Sequence, residues 1–383
     1  MYVGPGDVLH LIRSGQARTR GDIQEETGMS RMTVAQRVDA LLKAELIREA
    51  GTARPSGGRR PTDLAFNLQH SCTVSALVET TSSRVALTDL GGAIIADEYL
   101  DIAVDDGPEK VLHAITEAGL RLLKRTNTPM TKVSGMGISI PGPVDPHTLR
   151  PSQPPIMPGW DAYPIVEFIQ DTFPVPVLVE NDADAMAVGE YSAGFNGVTS
   201  LCLVKVSTGI GTGLVIDGRV YQGVDGGAGD IGHVRHPAFA ELQCQCGSFG
   251  CLAAGASGGA IARKLTEMGI EGSSGRDVRQ QLLAGNVDTM RLTHDAGRRL
   301  GEVMATVVCL LNPAVLLIAG DLASSSLIGG IRETLYPMSL PRATRHLDVR
   351  LAALGEDAGI RGMSSLLVNQ VFSPAAVNAR LAA

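Results

Sequence analysis

Cys244, Cys246 and Cys251 fall within eight residues, and His233 lies eleven residues upstream of the first. Three thiolates and one imidazole make the Cys3His donor set of a closed tetrahedral Zn2+ site. Gly247 and Gly250 would let the chain wrap an ion. Without metal the same residues read as three buried free thiols or a redox pair. A CxC pair, a Gly turn, a third Cys and a nearby His favour zinc, structural and one per chain.

Three other segments carry binding chemistry. Glu180-Asn181-Asp182 follows an apolar run at 175–179. Strand ends facing a crevice are where α/β proteins place ligand-handling groups, and an Asp beside an Asn can accept from one hydroxyl and donate to another. Equally, either residue can simply cap the next helix. Ser207-Thr-Gly-Ile-Gly-Thr-Gly213 sets glycines at alternate positions right after a strand. Its N–H groups could close on an anion or a hydroxyl-rich ligand; a tight hairpin is the alternative. In Gly226-Gly-Ala-Gly-Asp230-Ile-Gly-His233 an acid and an imidazole stand three residues apart. Taken alone, that histidine reads equally as a core residue.

These residues need a mixed α/β frame. Apolar runs at 74–78, 84–90 and 93–100 predict a meander, 108–126 a helix, and 133–140 a buried strand ending at Pro141-Gly142-Pro143. The run at 175–179 predicts a strand and 183–191 a helix. A second meander starts at 201–206 and continues through 213–216. Two such halves predict an internally duplicated fold with a cleft between lobes.

The first 66 residues differ. They predict a helix at 5–14 stopped by Gly15, a second capped by Thr19 with Asp22 in capping-box position and ended by Gly28, and a third capped by Ser30. Val34, Val38, Leu41, Leu42 and Leu46 form one buried stripe on the third. Residues 47–49 and 62–67 can pair around an Arg-rich loop. This order resembles a winged helix-turn-helix. Arg31, Thr33, Gln36 and Arg37 could reach base edges in a major groove. Arg54, Arg59 and Arg60 could meet phosphates or enter a narrow minor groove. A three-helix protein-interaction module with an incidental basic loop is the alternative.

Composition fits both parts. The chain has 383 residues, enough for two or three domains, and 44% apolar residues exclude general disorder. The net charge of −7 excludes a wholesale nucleic-acid coat, yet residues 1–66 hold ten Lys/Arg against eight Asp/Glu, leaving 23 against 32 for the remainder. The short apolar runs and unremarkable N-terminus predict no membrane span and no secretory signal. With six scattered cysteines, a cytoplasmic protein is expected.

Taken together, Gly209-Ile-Gly-Thr-Gly213, Gly229-Asp230-Ile-Gly-His233 and Cys244-Gln-Cys-Gly-Ser-Phe-Gly-Cys251 resemble the ROK family of repressors, uncharacterised frames and sugar kinases. The resemblance covers almost the whole chain, its winged module matching the repressor branch. It implies an α/β, actin-like (ribonuclease-H-like), two-lobed sugar-kinase fold preceded by a winged helix-turn-helix domain. The expected boundaries are 1–67 for the DNA-binding domain, 68–190 for the first lobe joined by the C-terminal helix at 360–383, and 191–359 for the second lobe with its zinc loop. It further implies that Asn181 and Asp182 bind sugar hydroxyls, Asp182 being the catalytic base in kinases. It implies that Asp230 and His233 face the sugar, that His233 also ligates zinc, and that Pro141-Gly142 and Gly159-Trp160 form sugar-site loops.

Departures from the family pattern shape the functional expectation. Family kinases carry Asp-x-Gly-Gly-Thr-Lys at the first strand turn, which meets ATP phosphates; here the stretch is Leu77-Val78-Glu79-Thr80-Thr81-Ser82. Glu79 would put negative charge against phosphates, so Asp182 would be a vestigial base. Asp230 replaces a family Glu, and Ala253 stands where the family often has a Glu, which leaves the sugar's identity open. The reading is a non-enzymatic, sugar-responsive transcriptional repressor. Its expected partners are double-stranded operator DNA, a sugar or sugar-phosphate effector, and itself, as dimer or tetramer. An active ATP-dependent sugar kinase with an appended DNA-binding module is the alternative.

Overall fold

The structure is a computed structural model and describes residues 3–52 and 62–382. Helices α1 (Pro5–Arg13), α2 (Arg20–Thr27) and α3 (Arg31–Lys43) precede the antiparallel hairpin β1 (Ile47–Thr52) and β2 (Thr62–Phe66). The caps fall where the sequence places them. Thr19 and Asp22 form a capping box on α2, Gly28 closes it at φ +68°, and Ser30 caps α3. Val34, Val38, Leu41 and Leu46 are buried, as the stripe requires, while Leu42 is only partly so.

Two five-stranded sheets follow, and they share one topology. The first has the order β5-β4-β3-β6-β7, built from β3 (Cys72–Val78), β4 (Ser83–Asp89), β5 (Ile94–Leu100), β6 (Val133–Ile140) and β7 (Val177–Asn181). The second has the order β10-β9-β8-β11-β12, from β8 (Ser200–Val206), β9 (Ile210–Ile216), β10 (Arg219–Val220), β11 (Val315–Ala319) and β12 (Asp348–Leu351). In each, a three-stranded antiparallel meander meets two parallel strands. The expected duplication is thus present in the sheets. Two strands differ from expectation: β7 runs on through Asn181, and β9 begins at Ile210 rather than 213.

Helices α4 (Pro108–Arg125) and α5 (Ile165–Gln170) cover the first sheet and complete its core. The second sheet is covered by α7 (Leu252–Ala256), α8 (Gly258–Glu267), α9 (Gly275–Leu283), α10 (Val287–Leu311), α11 (Ser325–Met338) and α12 (Pro341–Thr344). Between the sheets lie α6 (Asp182–Gly194) and α13 (Ala358–Val371), and α14 (Pro374–Ala382) ends the chain. Helix α6 leaves the first sheet but packs its Ala187 and Val188 on Leu201, Leu203 and Val215 of the second. Helix α13 lies on the first, with Met363 and Leu367 against Gly137. The two helices cross at near backbone contact: a Cβ on Gly362 would overlap the Ala185 carbonyl, and one on Gly189 would overlap that of Ala358.

The chain's last turns do more than close the first lobe. Val368, Phe372 and Val377 belong to the core of the N-terminal module. Phe372 is fully buried and meets the Phe66 ring edge-on at 5.4 Å. Asn378 Oδ1 accepts from Gly6 N at 2.7 Å while its Nδ2 donates to Asp7. Arg13 donates to the Phe372 carbonyl and to Asn369. We expect Phe372→Ala to cost about 3–5 kcal/mol in urea unfolding of the full chain. A cost below about 1 kcal/mol would mean that this joint is not a packed core.

Candidate functional site

The cleft between the sheets holds a cavity of about 250 Å³. Pro141, Gly142, Asn181, Asp182, Asp230 and His233 all line it. Gly159 does not; it makes a turn at φ +82°, beside a fully buried Trp160 whose Nε1 donates to Val104 O at 2.8 Å. Pro155 and Ile156, from the same loop, line the cavity instead.

Asn181 caps α6, its Oδ1 accepting from Ala183 N and Asp184 N while its Nδ2 donates to Gly142 O. The amide therefore ties the Pro141-Gly142 turn to the helix start. Asp182 opens α6, where the helix dipole favours a carboxylate. Its Oδ2 accepts from Lys205 Nζ at 2.6 Å. The glycine-rich segment is a tight hairpin: Ser207 N donates to Gly209 O, and β9 pairs back on β8 from Ile210. Gly213 is required there because a Cβ would overlap the Ala183 carbonyl of α6. Asp230 and His233 sit on a glycine-rich loop pressed onto β9, where a Cβ on Gly229 would overlap the Thr212 carbonyl. Burial raises the Asp230 carboxyl, and His233 partly offsets this.

Behind this wall two carboxyl groups are buried. Glu180 is raised by burial against hydrogen bonds from Asn181 N and Gln222. Asp184 is held well above the usual carboxylate range by burial, then by Glu180, with a backbone hydrogen bond from Leu214 opposing.

The far edge of the cavity joins the lobes directly. Thr80 and Thr208 hydroxyls are 2.9 Å apart, and Arg276 donates to Ser82 at 2.7 Å. Glu79 lines the cavity where expected, but it does not stand as a bare charge: Arg276 lies 3.6 Å away. Both groups are about half exposed, so this pair contributes little to stability, yet it reduces the repulsion that the sequence alone implied. Lys205 and Arg276 are functional candidates that the sequence reading missed.

The cluster of His233, Cys244, Cys246 and Cys251 has all four donor atoms within 4.8 Å of one another. Cys246 and Cys251 Sγ are 3.7 Å apart, and Cys244 Sγ lies 3.8 Å from His233 Nδ1. Ligand separations of roughly 3.8 Å are what a tetrahedron with 2.3 Å metal–sulfur bonds requires; a disulfide needs about 2 Å. Burial would raise Cys246, but hydrogen bonds from Ser248 and its neighbouring thiols bring it down to about 6. Burial and shared protons push Cys251 up to about 12. Full deprotonation of the set therefore calls for a cation, and these residues could hold a metal.

On the N-terminal module, Arg31 and Gln36 are exposed on α3 and Arg37 is half-buried. The Thr33 hydroxyl lies 2.9 Å from Ser30 Oγ. Met32, unremarked in the sequence, is strongly exposed between them. Arg54, Arg59 and Arg60 lie outside the described residues. Among the described residues no helix is long and apolar enough to cross a membrane.

The sequence profile of the ROK family matches residues 78–370. A xylose repressor of Bacillus spizizenii is 28% identical over 365 residues, covering 94% of each chain. A glucokinase of Halalkalibacterium halodurans is 27% identical but covers 76% of this chain and 93% of its own. Among solved structures, a ROK family transcriptional regulator described as a homologue of the Escherichia coli Mlc protein superposes with a TM-score of 0.82. It has 25% identity and covers 98% of each chain. Together these show a mixed α/β ROK sugar-kinase fold with an N-terminal helical region.

The buried carboxyl of Asp184 sets a pH test. Its folded-state value lies above the roughly 3.9 of an unfolded aspartate. Its contribution is therefore full below that unfolded value and is lost as pH rises through the folded one. Asp184→Asn keeps an oxygen for Leu214 N and removes the charge. In urea unfolding it should match the parent near pH 4 and exceed it at pH 8 by about 1–3 kcal/mol. A variant equally destabilised at both pH values would contradict a neutral, buried Asp184.

Proposed function

The chain belongs to the ROK family, and we propose that it is a sugar-responsive transcriptional repressor. Its N-terminal module would hold double-stranded operator DNA, and its cleft a sugar or sugar-phosphate effector. One observation carries this reading. The module shares its core with α13 and α14, and α13 crosses α6, whose first residue lines the cleft. A ligand that prefers one lobe spacing thereby biases the position of the module. It releases DNA only to the extent that it binds the DNA-incompetent shape more tightly. The xylose repressor and the Mlc homologue match over the module as well as the lobes, which supports this reading.

We assign Arg31, Thr33, Gln36 and Arg37 to the major groove, and Arg54, Arg59 and Arg60 to phosphates or the minor groove. Two half-sites would multiply these contacts, so a homodimer is the working form. Asn181, Asp182, Asp230 and His233 receive the sugar, with Pro141, Gly142 and Gly159 shaping its loops. A zinc ion on His233, Cys244, Cys246 and Cys251 would be structural, holding in shape the loop that carries Asp230 and His233. Phosphoryl transfer would not be its activity: Leu77–Ser82 lack the glycines and lysine that the resemblance implies for ATP phosphates, and Asp182 is engaged by Lys205, which supports this reading.

Gel retardation of the purified chain on its own upstream DNA, at stated salt, should show a sequence-specific complex. That complex should be released by a member of a sugar panel headed by D-xylose and D-glucose, with no ADP formed from ATP on the same panel. No specific retardation at any salt would defeat the repressor reading, and turnover lost in Asp182→Asn would establish a kinase. Metal analysis should find about one zinc per chain. Cys246→Ser should lower both zinc content and thermal stability; full retention of zinc would refute the ligand set.

A further inference from the structure

Strand β8 alternates cleanly between two environments. Cys202, Val204 and Val206 enter the core of the second lobe, while Leu201 and Leu203 face α6. Lys205 continues the second of these faces and meets Asp182 in the first turn of α6. Its side chain is only 13% exposed, and Asp182, its partner at 2.6 Å, is 15% exposed. Burial alone would lower the ammonium's proton affinity, but Asp182, Glu79 and Asp321 outweigh it and raise it. Lys205 therefore stays charged.

An ammonium has three N–H donors and no acceptor. Among the described residues the one hydrogen-bond partner of Lys205 Nζ is Asp182 Oδ2. Both groups line the cavity. The wall thus presents a largely buried donor with unused N–H groups beside a carboxylate acceptor. An occupant that displaces solvent from these N–H groups must supply an acceptor there, because a donor left unpaired on binding is costly. A hydroxyl is complementary to both groups at once, accepting from the ammonium and donating to the carboxylate. An ether oxygen could meet only Lys205, and a phosphate or carboxylate at this point would be repelled by Asp182.

We propose that Lys205 is a specificity-determining residue of the cleft, clasping one free sugar hydroxyl between its ammonium and the Asp182 carboxylate. The proposal rests on the sugar reading of the cleft and deepens it. The effector carries an unsubstituted hydroxyl at this position, and any phosphate it bears lies elsewhere on the ring. The hydroxyl that a kinase would phosphorylate beside Asp182 is held here from both sides.

Calorimetric titration tests this on the full chain, using the panel headed by D-xylose and D-glucose together with the monodeoxy analogues of each. In the wild type, one analogue should bind roughly ten- to a hundredfold more weakly than its parent. Lys205→Met should weaken the parent sugar by a similar factor and no longer discriminate against that analogue. Where Lys205→Met fails to fold because Asp182 is left unpaired, Lys205→Met with Asp182→Asn removes both charges and should show the same loss of discrimination. A variant that keeps the wild-type ratio at every ring position overturns the role of Lys205 while leaving a sugar site intact. A wild type that binds no sugar of the panel overturns the sugar reading itself, and this proposal with it.

Discussion

Helices α6 and α13 cross where glycines leave no side chain between their backbones. Gly189 and Gly362 let α6 and α13 approach until a single methyl group would strike a carbonyl oxygen. Packed interiors tolerate such overlap poorly, and they shift between discrete arrangements rather than deforming smoothly. Each helix is also committed to a different sheet, α6 to the second and α13 to the first. The crossing is therefore the joint between the lobes. Its ends are fixed as well: Glu190 of α6 accepts from Ala353 and Leu354 N ahead of α13, and Arg84 of β4 bonds Asp357 at 2.8 Å.

From that joint two extensions run, one to the cavity and one to the N-terminal module. The first turn of α6 carries Asn181 and Asp182 into the cavity. The end of α13, with α14, completes the core of the N-terminal module. Among the described residues the cleft and the N-terminal module are thus joined by packed core, through α13 and α14. The four donors His233, Cys244, Cys246 and Cys251 gather beside the loop bearing Asp230, and the glycines of that loop admit its close contact with β9.

Much of this was legible in the sequence because the determining interactions are local. Caps at Thr19 and Ser30, the Gly28 stop, and the four sulfur and nitrogen donors within nineteen residues each declare themselves over short spans. The alternation of apolar runs announced the duplicated sheets. What stayed hidden depends on partners far along the chain. Lys205 reads as one polar residue in an apolar strand; only the side of β8 it occupies, and the helix laid on that side, bring it to Asp182. Arg276 reaches Glu79 across the lobes in the same way. The glycines at 209–213 left ligand loop and tight hairpin both open; the segment is a hairpin whose Gly209 and Gly211 line the cavity, while Gly213 serves the approach of α6 to β9. The helices from α8 to α10 carry the same kind of local signal, with Ser257, Ser274 and Asn286 as their caps.

Mechanical continuity from cleft to module runs through the α6–α13 crossing. Amide hydrogen exchange of the full chain, with and without a saturating sugar from the panel, measures it most directly. The sugar should slow exchange at the start of α6 and also change it in α13, α14 and α1, none of which lines the cavity. A sugar that binds and protects the cleft while leaving α13, α14 and α1 unchanged would contradict it.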